Sequence, residues 1–197
     1  MFGLIVLLVI AGYIAVSVLV VKAAMRWARR RGRSAARWGW GAGLLMYLLV
    51  FWDFIPTMLL HRYLCATEQG FWVYKTVEQW QQENPGVAET LRWSDSSKSF
   101  KTPAVTRGYV LNQRFVWEVV KNQPFSMLPV WVTEHRVVDR HNEEVMAKHV
   151  SVGAGYGNLA VGGKGSWKFW LKLPTCDEKR EQFARFRRKV QRQGETE

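Results

Sequence analysis

RWARRRGRSAARW, residues 26–38, decides how this chain is read: it carries six arginines and no acid, and it lies between two long apolar stretches. Such a run suits either nucleic-acid phosphates or the cytoplasmic edge of a membrane. Its flanks discriminate between the two. FGLIVLLVIAGYIAVSVLVVKAAM, Phe2 to Met25, has no charge before Lys22. WGWGAGLLMYLLVFWDFIPTMLL, Trp38 to Leu60, contains a single acid, Asp53. Each stretch offers the roughly 20 residues that cross a hydrocarbon core at about 1.5 Å per residue. A signal peptide competes for the first stretch, but it calls for a basic region ahead of the apolar run and a shorter apolar core. Trp38 and Trp40 at one end of the second stretch, and Tyr63 just past the other, fit the aromatic belts of membrane interfaces.

The expected fold class is therefore a membrane protein of α+β type. Residues 1–60 form a two-helix transmembrane hairpin, with spans over 2–25 and 38–60 and an arginine-rich loop over 26–37. Arg26, Arg29, Arg30, Arg31, Arg33 and Arg37 hold that loop on the cytoplasmic side, because basic residues in short loops resist translocation. Anionic lipid headgroups are their expected partner, at about 1 kcal/mol per basic residue. Both termini then lie outside the cytoplasm. Net charge is +12, which taken alone also suits nucleic acid; that reading needs the reverse orientation and ranks lower.

Residues 61–197 are the expected extracytoplasmic domain, of ordinary domain size. No Asn is followed by x-Ser or x-Thr, which points to the bacterial periplasm and an inner-membrane anchor rather than a glycosylating pathway. The only two cysteines are Cys65 and Cys176. In an oxidising compartment they suggest one disulfide closing nearly the whole domain. The sequence contains no CxxC motif and no zinc-type ligand spacing.

Within the domain, TVEQWQQEN (76–84) reads as a helix with Thr76 and Gln79 as a capping box, interrupted by Pro85-Gly86. VAETLRW adds a further helical turn or two, and residues 94–103 read as loop. RGYVLNQRFVWEVV (107–120) has strand composition. VWVTEHRVVD (130–139) and EEVMAKHVSV (143–152) should pair as an antiparallel hairpin about a polar tip at 140–142. SWKFWLKL (166–173) alternates with period two and predicts a strand. The C-terminal segment predicts a basic amphipathic helix, capped by Thr175 and Glu178, with Phe183, Phe186 and Val190 on one stripe. Its basic face reads first as solvated, and second as a surface for acidic headgroups or partners.

Chemistry is sparse. GAGYGNLAVGGKGS (153–166) misses a P-loop, because Asn158 stands at the first glycine position and Gly165 at the Ser/Thr position. A loose dinucleotide pattern at Gly155, Gly157 and Ala160 opens no helical periodicity. The segment reads as a flexible loop and a candidate binding edge. His135 and His149 could face each other across the hairpin, with Glu134, Asp139 or Glu143 as a third ligand, yet alternation puts Glu134 on the opposite face. Satisfied surface histidines are the simpler reading, so no metal, cofactor or catalytic residue is assigned.

In the membrane part, Asp53 is the intramembrane polar residue, with Tyr13 and Thr57 as expected donors and Pro56 as a source of a kink. Gly39 and Gly43, and Ala11 and Ala15, form small-xxx-small faces for helix packing. The expected function is a membrane-anchored, non-enzymatic accessory, assembly or exclusion factor that binds another envelope protein. The alternative is an envelope enzyme or small-ligand-binding protein using the 153–165 loop and the His135/His149 strands.

Overall fold

The computed structural model describes residues 2–92, 99–156 and 168–194. The protein is α+β, with an apolar N-terminal helix and an antiparallel sheet. It divides into two compact units, Met1–Ile55 and Pro56–Glu197.

In the first unit, α1 runs Phe2–Arg30 and α2 runs Ala35–Phe51. By length and composition α1 is able to cross a membrane, and a signal sequence would meet the same test. Its C-terminal turn is set by Gly32, at φ 64°. The amide of Arg33 donates to the carbonyl of Ala28 (2.9 Å) and that of Gly32 to Arg29 (3.2 Å). This pair of bonds is a Schellman cap, and glycine adopts the left-handed conformation it needs without a Cβ clash. The helix thus extends over Arg26, Arg29 and Arg30, and Arg37 belongs to α2. The loop expected over 26–37 is shorter than the basic run. Arg31 lies 4.4 Å from the Trp27 ring, and Trp27 meets Trp38 edge-on at 4.9 Å.

Small residues set the packing of α1 against α2, but on one helix only. Gly39 is buried, and a Cβ there would lie 2.9 Å from Met25 Cγ. At Gly43 a Cβ would lie 3.9 Å from Val21. Ala11 and Ala15 are exposed and take no part in this packing. The reason is angular. The face of α1 that meets α2 carries Tyr13, Ser17, Val21 and Met25, and residues two positions away point about 200° around the helix. Tyr13 likewise corrects an expectation: its hydroxyl donates to the carbonyl of Met46, not to Asp53. Seven residues separate Met46 from Asp53, about two turns further along.

The second apolar stretch is not one continuous helix. α2 ends at Phe51, Trp52 and Asp53 form a turn, and α3 runs Phe54–Thr67. Pro56 explains the position of the break. It has no amide hydrogen for the carbonyl four residues earlier, at Trp52, and its ring crowds that turn. Only taken together do α2 and α3 match α1 in the length and apolarity a span requires. Asp53 and Thr57 are both fully buried.

In the second unit, β1 (Gly70–Val73), β2 (Ser99–Phe100), β3 (Arg107–Val110), β4 (Phe115–Asn122), β5 (Val130–Asp139) and β6 (Glu144–Ala154) form a sheet in the order β1-β6-β5-β4-β3-β2. β7 (Leu173–Cys176) also pairs with β6. Every pairing is antiparallel. The expected hairpin is present as β5 and β6, with Glu143 at φ 59° beside its tip. Among the described residues three further α-helices follow α3: α4 (Val77–Glu83), α5 (Val87–Thr90) and α6 (Arg180–Gln191). The Thr76–Gln79 capping box forms at the start of α4, with bonds of 3.2 and 2.9 Å.

Alternation, shifted once on β6 by an irregularity opposite Val137 and Val138 that carries Met146, assigns the two faces of the sheet. Val130, Val132, Val152 and Ala154 pack against Leu60, Leu64 and Cys65 of α3. On the other face Val137, Phe115 and Met146 join Val77 and Trp80 of α4 and Phe183 and Val190 of α6. Asp139 is buried at the end of β5. It accepts from Arg114 Nε (2.8 Å), Trp80 Nε1 (2.8 Å) and the amide of His141 (2.9 Å).

Two expectations fail here. Residues 169–171, within the predicted 166–173 strand, form a 3₁₀ turn, and the strand is the short β7 that follows. β1 pairs with β6 at Ala147–Val150 and β7 at Val152 and Ala154, and in the β7 register residues 169–171 fall beyond the end of β6. The Thr175/Glu178 capping box is absent as well. Thr175 is drawn into β7, and α6 starts five residues later without a side-chain cap. The predicted stripe survives, with Phe183 and Val190 buried and Phe186 packed against the core. Most of the glycine-rich 153–166 segment lies outside the described residues; its first two positions belong to β6.

Candidate functional site

The register of β4, β5, β6 and β1 places Val119, His135, His149 and Phe71 side by side in one row across the sheet. The adjacent row holds Tyr109, Trp117 and Val137, with Tyr109 and Trp117 stacked at 4.7 Å. His135 and His149 are direct partners, their rings stacked 5.8 Å apart. α6 lies over this row. Phe183 sits 5.8 Å from His135 and 5.5 Å from His149, and the Arg187 guanidinium lies 4.2 Å from the Trp117 ring. Together they line a pocket of about 450 Å³, which also meets Asp177, Arg180, Glu181 and Arg188.

Each histidine is held differently. The indole N–H of Trp117 donates to His135 Nδ1 at 3.3 Å. Indole is only a donor, so the neutral ring carries its proton on Nε2. Burial pushes His135 down to about 4; the neighbouring His149, Arg187 and Arg180 act the same way, and Asp177 opposes them. His149 has an acceptor at each nitrogen: Asp177 Oδ1 at 2.6 Å from Nε2 and the carbonyl of Gly70 at 2.9 Å from Nδ1. Arg187 is lowered by burial, then by Arg188 and Arg180. Its Nε is buried without an acceptor among the described residues.

This geometry unites the expected His135/His149 pair but none of its three expected third ligands. Glu134 pairs with Arg136 and, at 3.1 Å, with Lys148. Asp139 is taken by Arg114 and Trp80. Glu143 sits in the turn beside the hairpin tip. The carboxylate that does arrive is Asp177, which the sequence placed at a helix start. No local signal marks it, because β7 and the bridge at Cys176 deliver it from a distance.

Cys65 and Cys176 lie at disulfide distance, with Cα atoms 5.8 Å apart. His61 Nε2 is 3.5 Å from Cys65 Sγ and 3.8 Å from Cys176 Sγ. With the sulfurs bonded to each other, this group offers no thiolate ligand.

The depressed His135 predicts an acid-sensitive step. Unfolded histidine takes a proton near pH 6.5, but the folded ring resists until about 4. The unfolded state therefore binds more protons in that window, and stability falls as pH drops from 6.5 to 4 and then levels. The loss should be roughly 3 kcal/mol. Urea unfolding across this range should show the step in the wild type and lose it in His135→Gln; identical profiles would refute it.

Comparison with protein-family models, with curated proteins and with solved structures finds no match.

Proposed function

We propose that this chain is a membrane-anchored, non-enzymatic accessory, assembly or exclusion factor of the bacterial envelope. In this reading α1 and the joined α2–α3 pair form a two-span transmembrane hairpin. The Arg26–Arg37 run faces the cytoplasm and its anionic headgroups, and the body lies in the periplasm and binds another envelope protein. The observation that carries the reading is the Cys65–Cys176 pair at disulfide distance, because such bridges persist in oxidising compartments. The exposed Trp72, Val73 and Tyr74 on and beside edge strand β1, and Phe125 and Met127 in the β4–β5 connection, are where a partner is to be sought.

Two measurements test it. A membrane-impermeant maleimide on intact cells should label Cys65 and Cys176 only after reduction. Labelling that requires lysis would put the body in the cytoplasm and overturn the topology. Crosslinking followed by mild detergent extraction should recover an envelope partner; an uncrosslinked monomer in every condition would overturn the accessory role.

A further inference from the structure

The pocket beneath α6 holds hydrogen-bond donors in excess of acceptors. Asp177 is committed to His149 and also lies 4.0 Å from Arg180, which leaves Glu181 as the remaining acid of the lining. Arg187 and Arg188 line the same pocket. Among the described residues Arg187 Nε–H is buried without an acceptor and His135 Nε2–H has none. An unmet buried donor costs about 1–3 kcal/mol, more for a charged group. The guanidinium is also fixed in place by stacking on Trp117, so little conformational freedom is lost when it meets a ligand.

From this arrangement we propose that the pocket between α6 and the His135/His149 row binds a phosphate-bearing ligand. Arg187 Nε and His135 Nε2 donate to the phosphate oxygens, and Arg188 supplies further positive charge. Three acceptor oxygens match three donor groups better than a carboxylate's two do. The pocket, at about 450 Å³, has room for the substituent of a phosphate ester against Phe183. The site goes beyond anchoring and partner docking, and its ligand is either a free solute or a lipid headgroup.

Purified full-length protein in neutral detergent should be titrated calorimetrically with inorganic phosphate, and in a second arm with short-chain phosphatidylglycerol. Arg187→Gln should weaken binding about tenfold or more in whichever arm binds. Arg187→Lys, which keeps the charge but loses the fork, should fall between. Arg185→Gln makes the same charge change at an exposed position outside the pocket and should change affinity less than about twofold. Unchanged melting temperatures would confirm that the variants fold. The arm that responds names the source of the phosphate. Absence of binding in both arms, or equal weakening by the Arg185 and Arg187 variants, would overturn the assignment.

Discussion

Asp139→Ala is expected to destabilise the sheet-bearing unit by about 3–5 kcal/mol, as removal of one partner from a buried ion pair does. The carboxylate is 0% exposed and joins three separate parts of the chain. Its Oδ1 accepts from Arg114 Nε at 2.8 Å and from the His141 amide at 2.9 Å, and its Oδ2 from the Trp80 indole at 2.8 Å. Arg114 in turn donates to Asn84 Oδ1 at 3.0 Å. Alanine would leave the Arg114 charge and the Trp80 N–H without this acceptor. Asp139→Asn keeps one oxygen and should lose about 1–3 kcal/mol. Urea midpoints with unchanged m values would measure both losses.

The same carboxylate sets a second acid step. Burial alone would raise Asp139, but the Arg114, His141 and Trp80 bonds outweigh it and hold it below the ordinary carboxylate value. Its stabilisation is therefore fully present above the unfolded value, about pH 4, and is lost as pH falls through the folded one. That window lies below the His135 step, so the two variants should remove different parts of the acid profile. A loss under about 0.5 kcal/mol in Asp139→Ala, the scatter of ordinary surface changes, would show that the network does not hold the fold.

The second large effect is expected on opening the bridge. Cys65 and Cys176 are 111 residues apart, and chain-entropy arguments assign about 4–5 kcal/mol to a closed loop of this size. Cys65 lies on α3, whose other core contacts to the sheet are Leu60 and Leu64. The bridge thus contributes a large share of what holds α3 down. The Cys65→Ser/Cys176→Ser double variant should lose this amount, reductant should lower the wild type to the same level, and reductant should not affect the variant. A wild type whose unfolding ignores reductant would exclude the bridge from the stability of the fold.

Local patterns were legible where neighbours in sequence are also neighbours in space. The capping box at Thr76 and Gln79, the β5–β6 hairpin, and the Phe183–Phe186–Val190 stripe need only three- or four-residue spacing or alternation. Gly32 carried a readable cap signal that the arginines beside it obscured. Residues 169–171 show the opposite case. Their alternation is that of a strand, but strand pairing needs a partner, and in the antiparallel register of β7 residues 169–171 fall beyond the end of β6 at Ala154. Ala11 and Ala15 have the spacing of a packing face, yet α2 meets the other side of α1.

The sequence by itself determined the apolar N-terminal helix, the antiparallel hairpin with His135 opposite His149, and the pairing of the only two cysteines. These follow from hydrophobic length, from period-two alternation and from counting. Only the tertiary structure decided that Asp177 meets His149, that Trp117 sets the proton of His135, and that Arg187 lies over the same pocket. Those contacts join β4, β5, β6, the residue after β7 and α6, elements that are separated in the chain. They come from strand order and from how α6 lies on the sheet, and no local pattern of residues encodes either one.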